Sequence, residues 1–194
     1  VGEVMSIGKT YKEAFQKAIR SLETGRYGLG HVKDFDTLSK DELLRRLHTA
    51  SSERHFMMYE ALRKGATVEE LHDITKVKHW FIQQMLELVQ EEEALLACKG
   101  SLPADDALIR AKKDGFADKY LSKLLEIPED AIRNRRLELG MEENWEPVHV
   151  SGTQDSVSPE LRTLMDRYQA GQIKLEQFIR DADNKIMMMQ MEDY

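Results

Sequence analysis

GATVEELHDITKVKHWFI (residues 65–82) and GFADKYLSKLLEIPEDAI (residues 115–132) follow one plan at an offset of 50 residues. The offset sets Ala61 on Ala111, Gly65 on Gly115, Leu71 on Leu121, Ile74 on Leu124, Val77 on Ile127 and Ile82 on Ile132. Each stretch reads as a glycine stop after a helix, a short helix, a tight turn and a second helix. Thr67 with Glu70 forms the S/T-x-x-E pattern of a capping box, in which hydroxyl and carboxylate satisfy two orphan amides reciprocally. Asp118 stands near the corresponding cap of the second stretch, and Pro128 supplies a helix start after its turn. The spacing predicts two similar helical-hairpin units packed in one bundle, the second closing at Gly140.

The helical pattern extends outward on both sides. Upstream, Thr10 with Glu13 and Ser39 with Glu42 repeat the capping-box pattern. A first helix carries Phe15, Ala18, Ile19 and Leu22 on one face and stops near Gly25. Residues 25–38, with three glycines and two aspartates, read as a loop. A short helix with Leu43, Leu44 and Leu47 follows, then one over 52–64 with Phe56, Tyr59 and Leu62 inward. The helix over 78–98 puts Phe81, Ile82, Met85, Leu88 and Val89 on one stripe and stops at Gly100. Downstream, residues 141–157 show no helical period and read as an extended connector. Ser158-Pro159-Glu160 then starts a helix that runs to about Tyr168 and ends near Gly171. A last helix carries Leu175, Phe178, Ile179, Ala182, Ile186 and Met189. The expected fold is all-α: a multi-helix bundle around the two hairpin units, with a short N-terminal extended segment and a C-terminal helical hairpin.

Composition bounds what such a chain does. It has 194 residues, 41% hydrophobic and 32% charged, with a net charge of -7. That suits one medium domain or two small ones with a real core, and excludes a disordered or collagen-like chain. The single cysteine, Cys98, excludes an intrachain disulfide and fits a reducing, cytoplasmic setting. No apolar run reaches the roughly 18 residues of a membrane span. The chain opens on Val1, and its first eight residues, VGEVMSIG, form a β-like run with no partner strand in view. A lone strand cannot satisfy its own backbone, so this end is expected to belong to something longer.

The motifs that suggest chemistry are weak. GRYGLG (residues 25–30) has glycines but neither a preceding strand nor a following Lys-Ser/Thr, and reads as a loop. His31, His48, His55, His72, His79 and His149 show no H-x-x-x-H pair, and Cys98 has no C-x-x-C partner, so no metal or nucleophile site is expected. Glu91, Glu92 and Glu93 occupy adjacent positions that fan round a helix, which reads as a solvated face. KVKHWF places Trp80 and Phe81 beside lysines, a pattern that suits core plus a wetted edge better than base stacking. Met187, Met188, Met189 and Met191 suggest an adaptable contact face or a frayed end. The rival function is a helix-turn-helix-like nucleic-acid reader using Arg133, Arg135 and Arg136, or a protein-docking module. The acidic net charge weighs against the nucleic-acid version.

VGEVMSIGKTYKEAFQKAIRSLE resembles the segment that follows the first ATP-grasp half of the carbamoyl phosphate synthase large subunit. Gly2-Glu3-Val4-Met5, Ile7-Gly8, Thr10, Lys17-Ala18, Arg20 and Leu22-Glu23 carry the likeness, with Lys9 where arginine is usual. Val68-Glu69-Glu70, Leu71, Thr75 and Trp80-Phe81 continue it, with Lys78 where an acid is common. Lys113, Gly115-Phe116, Asp118, Ile132-Arg133, Arg136 and Pro147-Val148 follow in order. The likeness covers about residues 1–150 and finds no counterpart from Ser158 onward.

The resemblance implies a division of the chain. Residues 1–8 would be the strand-like end of a preceding ATP-grasp domain, and 9–148 a helical oligomerisation domain. Residues 149–157 would be a linker and 158–194 a hairpin of unknown origin. It also implies a role. Such a domain spaces the two ATP-grasp halves and supports association, with no catalytic, cofactor-binding or metal residue of its own. The parent enzyme makes carbamoyl phosphate from bicarbonate, ammonia released from glutamine on a small subunit, and ATP with Mg²⁺ or Mn²⁺. Arginine and pyrimidine biosynthesis consume that product.

Overall fold

The computed structural model describes residues 3–22, 24–31, 33–142 and 159–182. The chain divides into two compact units, Val1–Glu143 and Asn144–Tyr194. Every regular element among the described residues is helical.

Among the described residues the first unit holds nine helices: α1 (Tyr11–Ser21), α2 (Lys33–Asp36), α3 (Lys40–Leu47), α4 (Arg54–Arg63), α5 (Val68–Thr75), α6 (His79–Leu96), α7 (Asp105–Lys113), α8 (Asp118–Leu125) and α9 (Glu129–Glu138). Residues 3–8 form no strand. They are tied instead to α1, where the Ser6 hydroxyl donates to the Ala14 carbonyl at 2.6 Å and Lys17 reaches the Ile7 carbonyl at 3.2 Å. The short helix α2 interrupts the expected 25–38 loop.

Only one of the three capping patterns closes as a reciprocal box. The Thr67 hydroxyl accepts from the Glu70 amide at 3.1 Å, and the Glu70 carboxylate accepts from the Thr67 amide at 2.7 Å. Thr10 and Ser39 each accept from the amide three residues on, both at 3.2 Å. Their glutamates turn elsewhere, Glu13 to the Lys9 amide and Glu42 to Arg45 and Arg46. For Glu42 the charge-assisted bonds outcompete a neutral amide. The fourth start has Asp118 near its cap, as the sequence suggests. Ala117, not Asp118, caps α8, and Asp118 is its first residue.

The features that end and begin helices recur 50 residues apart. Gly65 (φ 86°) and Gly115 (φ 97°) both sit in the left-handed region. The amides of Ala66 and Phe116 reach back to Ala61 and Ala111 at 2.9 and 3.0 Å. α5 and α8 each have eight residues and end on left-handed caps, Lys76 (φ 58°) and Glu126 (φ 55°). In each turn a side chain of the short helix meets the carbonyl five residues on: His72 Nδ1 lies 2.8 Å from Val77 O, and the Ser122 hydroxyl donates to Ile127 O at 2.6 Å.

α4 is the central helix. Its sequence suggests one inward face, but seven consecutive residues, Phe56 to Leu62, are buried. A helix buried all round is enclosed by its neighbours, and α2, α3 and α6 pack on it. On α6 the expected stripe of Ile82, Met85, Leu88 and Val89 is buried, while Phe81 lies outside it at 38% exposure. Leu22, the residue that caps the end of α1, is likewise exposed. The core continues through Leu108, Leu121, Leu125 and Ile132 of α7, α8 and α9.

The second unit contains α10 (Pro159–Gln169) and α11, a helix over residues 175–182. Gly171 (φ 68°) turns the chain between them. Tyr168 and Phe178 stack at 5.1 Å, and Leu164 and Ile173 are buried. Leu175 and Ile179, expected on a buried stripe, are half exposed. Residues 143–157 of the connector, His149 among them, and Ile186 and the terminal methionines lie outside the described residues.

Candidate functional site

The largest departure from the sequence reading is on α6. Glu92 is fully buried, not solvated. Its Oε2 accepts from the Tyr59 hydroxyl at 2.9 Å and the Tyr120 hydroxyl at 2.6 Å. Its Oε1 pairs with Arg63, whose guanidinium also meets Glu93 at 2.9 Å and Glu60 at 3.3 Å. The His31 Nε2 completes the group, 3.3 Å from Glu92 Oε1 and 2.9 Å from Arg63 Nη1. Burial opposes the charge on Glu92, but His31, Arg63 and Tyr120 outweigh it and hold the carboxyl below its usual range. Burial, then the Glu92 charge, pushes both phenols well up, so each remains a donor. A buried carboxylate is tolerated because each oxygen is partnered.

This network positions the 25–31 loop. A Cβ on Gly28 would lie 2.6 Å from the Tyr120 ring, and one on Gly30 would strike Arg63, Glu92 and Tyr120. His31 adopts a left-handed backbone (φ 53°) that turns its imidazole to the network. GRYGLG is therefore a packed structural loop. Beside it lies a cleft of about 480 Å³. The cations on its wall are engaged: Lys99 with Glu126 at 2.8 Å, Arg26 with Glu53 at 2.6 Å, and Lys123 over the Tyr27 ring at 4.6 Å.

The outer surface carries an aromatic cluster. Tyr11 of α1 lies 5.2 Å from both Trp80 and Phe81 of α6 and 5.4 Å from Phe15, which in turn meets His55. Trp80 remains 55% exposed. Met5 and Ile7, just ahead of α1, are exposed as well. Single exposed apolar residues are ordinary, but clustered aromatic ones mark contact surfaces.

The other candidates from the sequence separate. Arg133 faces Glu129 and Asp130 at 3.6 and 3.9 Å. Arg135 holds Asp105 and Glu138, both at 2.7 Å, and Arg136 holds Asp118 at 3.1 Å. The helix that the rival nucleic-acid reading would place in a groove thus spends its arginines on neighbouring carboxylates. His72 and His79 stack at 3.9 Å, and His79 meets Glu69 at 2.8 Å. Burial, then Arg54, pushes His55 down. No group of three His, Cys, Asp or Glu residues suited to a metal occurs among the described residues. No helix among them is long and apolar enough to cross a membrane.

Sequence reasoning missed Glu92, although a signal was present. Its position continues the spacing of Met85, Leu88 and Leu95, so one of three adjacent glutamates had to fall on the apolar stripe.

A carbamoyl phosphate synthase large chain from Rhodopirellula baltica is 38% identical over 155 residues, covering 76% of this chain and 14% of its own length. The N-terminal section of that large chain from Methanopyrus kandleri is 35% identical over 172 residues, covering 82% and 30%. The Archaeoglobus fulgidus large chain is 32% identical over 193 residues, covering 97% and 17%. This last alignment runs on through the C-terminal hairpin, for which the sequence alone offered no counterpart. The chain thus spans less than a third of the length of these relatives. Residues 3–140 match the family described as carbamoyl-phosphate synthetase large chain, oligomerisation domain, and the chain belongs to that family.

Proposed function

We propose that this chain serves as a non-catalytic spacer and association domain of a carbamoyl phosphate synthase large chain. In this reading residues 9–148 form the association domain, and residues 1–8 lead in from an ATP-grasp half. The 158–194 hairpin is part of the same parent chain. The parent would join bicarbonate, ammonia from a glutaminase subunit and ATP, with Mg²⁺ or Mn²⁺ held elsewhere, in the cytoplasm. Its product would feed arginine and pyrimidine synthesis.

The observation that carries the association role is the aromatic cluster in which exposed Trp80 and Phe81 pack on half-buried Tyr11. It joins the first helix to the longest one, so a partner seated there would grip two rigid elements. Sedimentation of the 194-residue chain tests this. Association that rises with concentration and is lost in Trp80→Asp supports it. A monomer at every concentration overturns it, and bicarbonate-dependent ATP hydrolysis by the chain would overturn the non-catalytic role.

A second reading concerns the hairpin alone. The half-exposed Leu175 and Ile179 on α11 favour a docking face for another protein segment. Removal of residues 151–194 with no change in stability or self-association supports that separate role. A loss of either shows that the hairpin acts by packing.

A further inference from the structure

Three cations from three helices converge on the turn between α7 and α8. Arg20 of α1 donates to the Gly115 carbonyl, and Lys112 of α7 donates to the next one, Phe116 O, at 2.8 Å. Lys112 also meets Asp118 at 2.7 Å, and Arg136 of α9 meets the same carboxylate at 3.1 Å. α1 lies tight on this turn, where a Cβ on Gly115 would stand 3.0 Å from Glu13 Cα. The frame that carries the three cations is therefore set before any ligand arrives. Their charges do not cancel. Asp118 is the one carboxylate among the described residues that pairs with any of the three. Bonds to carbonyls satisfy donors but leave the positive charge in place. The side chains of Lys112, Asp118 and Arg136 are only 17, 11 and 13% exposed, and Arg20 is half-buried. Three cations thus face one carboxylate where water screens poorly, in a chain whose net charge is -7. Arg20 has donors to spare, since its guanidinium fork makes one hydrogen bond among the described residues.

We propose that this cluster is a binding site for one phosphate-class oxyanion, held by Arg20 together with Lys112 and Arg136. A phosphate or phosphate-monoester dianion matches the two uncompensated charges, and its several oxygens suit donors that arrive from separate helices. The electrostatics of Lys112 fit the same picture. Burial, with Arg136 and Arg20 beside it, outweighs the pull of Asp118 and lowers its pKa, as expected where positive charge is in excess. An anion held there ties α1 to α7, α8 and α9. The site is independent of whether the chain self-associates.

The test uses the 194-residue chain near neutral pH, with ionic strength held constant by chloride. Inorganic phosphate is titrated while the Arg20 Nε–H and the amides of residues 115–118 are followed by NMR. Saturable shifts confined to these groups and Arg136 are expected. Arg20→Gln should weaken phosphate binding by about tenfold or more, the worth of one hydrogen bond to a charged group. Arg133→Gln removes an exposed charge outside the cluster and should leave binding unchanged. Phenyl phosphate separates the two sources of the ligand. Binding equal to that of phosphate admits the phosphoryl group of a larger molecule, and loss of binding restricts the site to the free ion. No saturation, equal weakening in both variants, or acetate binding as tightly as phosphate overturns the proposal. Should Arg20→Gln not fold, the wild-type titration decides by itself, because shifts spread over the exposed lysines overturn the site and shifts confined to it support it.

Discussion

Tyr120 donates a 2.6 Å hydrogen bond to the carboxylate of Glu92, joining α8 to α6. Arg63 meets the same carboxylate from α4, and His31 from the glycine loop. Four segments thus converge on one buried charge. Apolar packing alone tolerates sliding between helices, whereas a fully partnered polar group admits one arrangement. The network therefore sets the register of the bundle that supports the aromatic surface.

Glu92→Ala should lower stability by about 3–5 kcal/mol, because it leaves Arg63 and two phenols buried without their partner. Tyr59→Phe and Tyr120→Phe should each cost about 1.5–3 kcal/mol, as hydrogen bonds to a charged acceptor. Denaturant unfolding measures all three. The pH dependence has a definite sign. Glu92 is held below its usual range, so its contribution is present above the ordinary carboxylate value and lost as the pH falls through the lowered one. Glu92→Gln should therefore flatten the acid limb of the stability curve. An unchanged acid limb would place the proton-linked stability elsewhere.

Gly30→Ala should destabilise by at least about 1–3 kcal/mol, the usual cost of forcing extra volume into a packed site. Its new methyl group meets Arg63, Glu92 and Tyr120 at once. Gly25→Ala, with nothing within 4 Å but a φ of 75°, carries only the left-handed backbone cost of about 1–2 kcal/mol. Combining Gly30→Ala with Glu92→Ala should cost less than the two separately, since both act on one network. Additive losses in that double mutant would separate the loop from the carboxylate.

The boundaries of the helices were legible in the sequence because short-range chemistry sets them. Gly65 and Gly115 mark stops, Thr67 a start, and the spacing of Ile82, Met85 and Leu88 a buried stripe. Burial on all sides of α4 was not legible, since periodicity identifies one face and says nothing of what covers the other. The Glu92 network was hidden for a related reason. Arg63 and Tyr120 lie 29 and 28 residues away in the chain and meet Glu92 only once three helices pack. Capping is the intermediate case. Glu42 has the right spacing for a box, yet Arg45 and Arg46 draw it away, a competition that depends on rotamers as well as spacing.

The caps yield a graded prediction. Thr67→Ala should cost about 1 kcal/mol or somewhat more, since it breaks a closed box. Ser39→Ala should cost less, because Glu42 never joined its cap and keeps its arginines. Ala117→Ser should instead stabilise by about 0.5–1 kcal/mol, because the α8 cap residue has extended backbone (φ -73°, ψ 147°) but no side-chain acceptor. Thermal melts of the three variants give the order directly. Equal losses for Thr67→Ala and Ser39→Ala would mean that the reciprocal half of the box contributes nothing.

The arginines of α9 separate a structural role from nucleic-acid recognition. Arg136 is 13% exposed, holds Asp118 at 3.1 Å and donates to the Met141 carbonyl at 2.8 Å. Asp118 also takes Lys112 at 2.7 Å, so the three charges clamp α9 to α7 and α8. Arg136→Ala should therefore cost about 1–3 kcal/mol by leaving part of that cluster unpartnered. Arg133, half exposed and paired only loosely, should be replaceable by Ala within about 0.5 kcal/mol. A groove-binding helix predicts the reverse pattern, in which both arginines are stability-neutral and both weaken DNA binding. Denaturation of the two variants, with a DNA titration at low salt where phosphate contacts are strongest, distinguishes the cases. DNA affinity that falls in Arg133→Ala while its stability holds would overturn the structural reading of α9.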